Sequence, residues 1–241
     1  MTAPTPTVVV QIAAQERETV SETLVEFLAP LPVVLVGIVE IPDQTSSEQA
    51  RAQFEDEARQ TLDTVADLFA DAGSDVETRL SFTHNARRTI EQVATEIDRV
   101  AVLFPAPTKS IERVIVAVRG GINVPNIAAT AAAVLEETDA TATVYHAAKE
   151  GADTDAIEQA FTAIVSAMED AGIENGRVTT TIERADDELT ALVDAANEHD
   201  LLVVGEDEPK LTDRIFGDTS QRLAERTVVP LVVVRRPPVE E

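Results

Sequence analysis

The residues best suited to chemistry in this sequence cluster between Asp200 and Arg236, in the stretch DLLVVGEDEPKLTDRIFGDTSQRLAERTVVPLVVVRR. A short apolar strand over 201–204 ends on Gly205, and a loop opened by Glu206, Asp207 and Glu208 follows. Gly217 with Asp218, Thr219 and Ser220 closes that loop before a helix over 220–226 and a strand over 230–234, opened by Pro230 and ended by Val234. This order predicts a parallel βαβ unit. Ligands of α/β sheets sit outside the carboxyl ends of the strands, so Gly205 and Gly217 mark the place to look for a site. Thr219 and Ser220 stand where a helix N-terminus would meet an anion, and the same hydroxyls would equally serve as an N-cap with no ligand. Arg119, followed by Gly120 and Gly121 at the end of a predicted strand over 113–118, has two uses. Its guanidinium can hold a phosphate or carboxylate, or it can pair with Glu206, Asp207, Glu208 or Asp218. The excess of acids in the chain favours the pairing.

Other chemistries find less support. Glu206, Asp207 and Glu208 are carboxylates of the kind that bind hard cations, but no EF-hand spacing accompanies them, and three acids on a solvated loop are ordinary in so acidic a chain. His84, His146 and His199 fall on three different elements without HExxH spacing, and His199 suits the last turn of its helix as a cap. The sequence has no cysteine, which excludes thiolate catalysis, disulfides and Cys-based metal sites. GxxxxGK[ST], GxGxxG after a strand, GxSxG and an SGGxDS-like loop are all missing.

The elements that must position these residues follow from periodicity. β-branched or apolar runs over 7–12, 33–41, 76–82 and 100–104 read as strands, separated by helices over 16–28, from the polar stretch after Pro42 to about 72, and over 86–97. Gly73 ends the second of these helices. The order then restarts: strands over 113–118, 142–146, 178–182 and 201–204 alternate with helices over 124–137, 154–171 and 187–199. The shared order is that of a tandem repeat of one roughly 100-residue unit, with units at 1–107 and 111–241. The first unit stops at its fourth strand, so it lacks a last helix and strand. Its turn PAPTKS contains no glycine with which to build an anion nest. The strand over 113–118 could instead close the first sheet; opening the second is preferred, because that unit would otherwise have no first strand.

The sequence of strand, Gly205, loop, Gly217 with Thr219 and Ser220, helix and PLVVV resembles the last third of universal stress protein domains. The resemblance covers the second unit and, more loosely, the first. It implies an α/β fold of two tandem, open, parallel, Rossmann-like sheets. It also implies a loop that wraps the phosphates of ATP, reading Gly, two residues, Gly, nine residues, Gly-Ser/Thr. Gly205 fits the first glycine of that pattern, the second falls on Glu208, and Gly217 arrives one residue early, followed by Asp218 where serine is usual. The aspartate that the family places after its first strand is Arg119 in the second unit, and Gln11 or Ala13 in the first. The expected cofactor is therefore none, with ATP the alternative. The resemblance further implies a homodimer through the strand at 230–234.

Charge sets the remaining expectations. The 241-residue chain carries 19 basic against 44 acidic residues, a formal net charge of −25 and a pI near 4.3. Only Lys109, Lys149 and Lys210 are lysines. Nucleic acid is not an expected partner, since nothing here replaces the counterions of a phosphate backbone. Acid excess, few lysines and an Ala/Val core suit a cytoplasmic protein of concentrated salt, where a Debye length of about 3 Å screens self-repulsion. No run approaches the ~18 apolar residues of a membrane span, and MTAPTPT does not read as a signal segment, so no direct membrane insertion is expected. The function expected is a non-enzymatic regulatory or scaffolding role with an unidentified protein partner. The alternatives are ATP binding through a remodelled loop, and a soluble regulatory domain associated with a membrane transporter.

Overall fold

In a computed structural model, residues 5–15, 20–119, 123–136, 138–205 and 218–235 are described, with only the backbone of Asp218, Thr219 and Gln221. The strands are β1 (Thr7–Ala13), β2 (Val33–Glu40), β3 (Val76–Thr83), β4 (Val100–Phe104), β5 (Arg113–Ala117), β6 (Thr141–Ala148), β7 (Val178–Arg184), β8 (Leu201–Gly205) and β9 (Leu231–Val234). The helices are α1 (Glu22–Leu28), α2 (Ser47–Asp71), α3 (Ala86–Thr95), α4 (Val124–Leu135), α5 (Asp155–Asp170), α6 (Glu188–Asn197) and α7 (Asp218–Arg226). All nine strands form one sheet in the order β3-β2-β1-β4-β9-β8-β5-β6-β7. Every neighbouring pair is parallel except β4 and β9.

The central strands are buried on both faces, which explains their nearly continuous β-branched runs: VVLVGIV of β2 and LLVVG of β8 are buried throughout. One face carries a core shared by α1, α2, α4 and α5, in which Leu28, Phe69, Leu103, Ile127, Ile164 and Val232 belong to a single cluster. On the other face α3 covers the first four strands, and α6 with α7 covers the second half. Phe104 packs against both of those clusters.

Helix ends follow their caps. Ser21, Ser46 and Asn85 accept hydrogen bonds from the backbone N–H three residues on, and positive φ at Gly73 and Gly172 ends α2 and α5. The helix expected over 16–28 is shorter than its apolar spacing implies. Ser21 caps it, and Val20, buried but outside the helix, precedes the cap. Residues 16–19 lie outside the described residues.

β5 pairs with β6 and β8. Residues 105–112, between β4 and β5, form neither helix nor strand. The strand over 230–234, expected at a free edge that would carry a homodimer, lies inside the sheet. β9 pairs parallel with β8 on one edge and antiparallel with β4 on the other, Ala101 lying opposite Val234 and Phe104 opposite Leu231. Both edges of β9 are thus paired within the chain, where the sequence led to a free edge. β9 covers an edge of β4 that is buried and uncharged and would otherwise be open to pairing.

Candidate functional site

A cavity of about 530 Å³ opens at the carboxyl ends of β5 and β6, against the start of α6 and the side of α7. Its floor is apolar, formed by Ala117, Val118 and Leu192. Three cations face it from three elements: Arg119 after β5, Lys149 after β6 and Arg222 on α7. Asp186, Asp187 and Glu188, at the approach to α6, line it too. Asp187 caps that helix, its carboxylate accepting from the N–H groups of Leu189 and Thr190 and, at 2.7 Å, from the Thr190 hydroxyl. The Thr190 hydroxyl bond, more than any other cause, holds its carboxyl below the ordinary value, so it remains ionised. Arg226 of α7 donates to the Thr190 hydroxyl at 3.1 Å, tying α7 to the same corner.

Tyr145 and His146 at the end of β6 complete the wall. The Tyr145 hydroxyl donates to Glu183 at 2.6 Å; burial, and then this bond, push its pKa well above the ordinary tyrosine value. His146 Nδ1 lies 2.7 Å from the Val118 carbonyl, which can only accept, so Nδ1 is the donor of that bond.

The predicted residues separate into four groups. Arg119 lines the cavity, half-buried. Gly205 ends β8, beside α4, where packing explains its lack of a side chain: a Cβ there would sit 2.5 Å from Ile127 Cδ1 and 3.2 Å from Ile127 Cγ1. Ser220 is buried in α7, and Thr219 precedes it in the same first turn; because α7 begins at Asp218, neither is the cap of a helix starting at 221. Gly217 and the acids Glu206, Asp207 and Glu208 lie outside the described residues.

Asn123, at φ 66°, donates from Nδ2 to the carbonyls of Val234 and Arg235 at 3.2 and 2.9 Å, joining the start of α4 to the end of β9. Lys149, Asp186, Asp187, Glu188 and Arg222 do not stand out in the sequence as site residues. Asp187 is legible there only as a helix start, and the strand order alone brings that start beside β5. Among the described residues no group of three or more His, Asp or Glu is arranged to hold a metal ion, and His84, His146 and His199 each bond a different main-chain carbonyl. No described helix is long and apolar enough to cross a membrane.

The model of the universal stress protein family matches residues 110–235, more than half of the chain. The chain belongs to the universal stress protein family. Among solved structures, a universal stress protein from Archaeoglobus fulgidus is similar with a TM-score of 0.64 at 17% identity, covering 98% of each chain. A functionally unknown protein from Pseudomonas aeruginosa is similar with a TM-score of 0.54 at 15% identity, covering 97% of this chain and 93% of its own. No curated protein matches. At these identities the structural likeness speaks to the fold: a universal stress protein with one mostly parallel, Rossmann-like sheet. Membership supports a stress-related function.

Proposed function

We propose that this universal stress protein is a non-enzymatic regulatory or scaffolding protein of the cytoplasm, made of two tandem units at 1–107 and 111–241, whose nucleotide site is degenerate. The observation that carries the reading is the charge balance of the cavity, lined by Arg119, Lys149 and Arg222 and equally by Asp186, Asp187 and Glu188. A triphosphate held in the family manner needs converging backbone N–H groups, and carboxylates that do not hold its metal repel it. Three carboxylates, one of them held ionised by its bonds to Thr190, oppose the three cations here. Two departures in sequence act in the same direction: Glu208 replaces a loop glycine, and Asp218 stands in place of a hydroxyl. The first unit has no glycine in PAPTKS and supplies no second phosphate loop.

Acid excess on this scale fits work in concentrated salt, where the net charge of −25 is screened. Titration calorimetry with Mg-ATP in molar KCl tests the proposal. No saturable heat at micromolar nucleotide is the expected result, whereas micromolar binding would make the chain an ATP-binding member of its family.

A further inference from the structure

The nine-stranded sheet ends on β3 and β7, and the two edges differ. β3 carries Glu77 and Arg79 at its centre; Arg79 binds Glu77 at 2.7 Å and also Glu96, while Arg51 covers the Phe82 ring at 5.2 Å. Charge of this kind protects an edge strand from pairing. β7 reads Val178, Thr179, Thr180, Thr181, Ile182 before its first charge, in a chain with 63 charged residues among 241. Thr179, Thr180 and Thr181 are exposed, and beside them a groove of about 610 Å³ runs between β7 and α5, lined by Phe161, Thr162, Val165, Thr180 and Ile182.

The hydrogen-bond phase of β7 fixes which groups remain open. Ala185 donates to the Ala148 carbonyl, continuing a parallel ladder in which Arg184 lies opposite Ala148. In that ladder the odd-numbered residues of β7 turn their N–H and C=O toward β6, and Val178, Thr180 and Ile182 turn theirs outward. An antiparallel partner centred on Thr180 would meet these groups in phase. Thr180 would face Thr180 of the second copy, and Val178 would face Ile182, all as hydrogen-bonded pairs, with Thr179 opposite Thr181 between them. The strand is thus its own complement in both hydrogen bonding and side-chain character, and no charge enters the pairing between 178 and 182.

We propose that β7 is a docking edge for a second copy of this chain, joined antiparallel about a two-fold axis at Thr180. The contact is isologous and extends the sheet across two molecules. Two chains of −25 repel in dilute buffer, so this association strengthens with salt.

Light scattering or sedimentation in dilute buffer and in about 2 M KCl tests it on wild type, Thr180→Pro, Thr180→Val and Thr78→Pro. Thr180→Pro removes an outward N–H and leaves the ladder to β6 intact, because proline is tolerated on an open edge. Thr78→Pro makes the same change at an outward position of β3, and circular dichroism reports whether each variant folds. The expected result is a dimer in molar KCl, weakened at least tenfold by Thr180→Pro and kept by Thr180→Val and Thr78→Pro. A monomer in molar KCl overturns the proposal, as does a dimer unchanged by Thr180→Pro or lost equally with Thr78→Pro.

Discussion

Replacing Gly205 with alanine separates two reasons for a glycine at the end of β8, packing and ligand approach. A Cβ at this position would lie 2.5 Å from Ile127 Cδ1, and Ile127 is 1% exposed, so its side chain can yield only by disturbing the core around α4. Overpacking of this kind costs about 1–3 kcal/mol. Gly205 has no positive φ, so alanine also gains roughly 0.4–1 kcal/mol by restricting the unfolded chain. The net expectation for Gly205→Ala is a loss of about 1–2 kcal/mol, or a midpoint lower by roughly 2–8 °C for a chain of this size. Ile127→Val removes the offending Cδ1 and by itself costs about 0.5–1.5 kcal/mol. In the Ile127→Val background only the 3.2 Å Cγ1 contact remains, so Gly205→Ala becomes nearly neutral and the pair couples by about 1–2 kcal/mol. Urea unfolding of wild type, both single variants and the double variant, all in the same molar KCl, measures this coupling. Strictly additive losses would refute the packing account of Gly205.

Two further outcomes are expected. The thermal midpoint should rise from dilute buffer to molar KCl as repulsion within a chain of net charge −25 is screened; a flat or falling midpoint would remove the case for adaptation to salt. Tyr145 is the single tyrosine of the sequence, so ultraviolet titration reports it alone, and burial with its bond to Glu183 should delay tyrosinate well beyond the ordinary pH of about 10. Because its folded pKa is raised, Tyr145 contributes stability that is fully present below the unfolded value and is lost as pH rises through the folded one, and ionisation at the ordinary pH without unfolding would contradict the buried pairing.

Strand order and helix faces are legible in the sequence because burial on both faces of a parallel sheet leaves unbroken runs such as VVLVG in β2 and LLVVG in β8. Pairing is harder to read. By itself the 230–234 run reads as a free edge, although β4, buried and uncharged over Val100–Leu103, already needs a second neighbour beside β1. The cavity is half legible. Arg119 stands out by its place after β5, but Lys149, Arg222 and the acids at the start of α6 come together only through the sheet order β8-β5-β6-β7. Gly205 is visible as a strand end, yet its contact with Ile127 is a tertiary fact with no local signature.

Affinity for ATP tests the central claim most directly. At an effective dielectric near 20, one like-charge pair about 4 Å apart costs on the order of 4 kcal/mol, near a thousandfold in binding before salt screening. In sequence Glu208 and Asp218 add carboxylates to the loop between β8 and α7, and Asp186, Asp187 and Glu188 line the cavity. Calorimetric titration with Mg-ATP in molar KCl should give wild-type binding no tighter than roughly millimolar, and tighter binding by the variant carrying Glu208→Gly with Asp218→Ser. Micromolar binding by the wild type would contradict the account and establish the remodelled loop as a working nucleotide site.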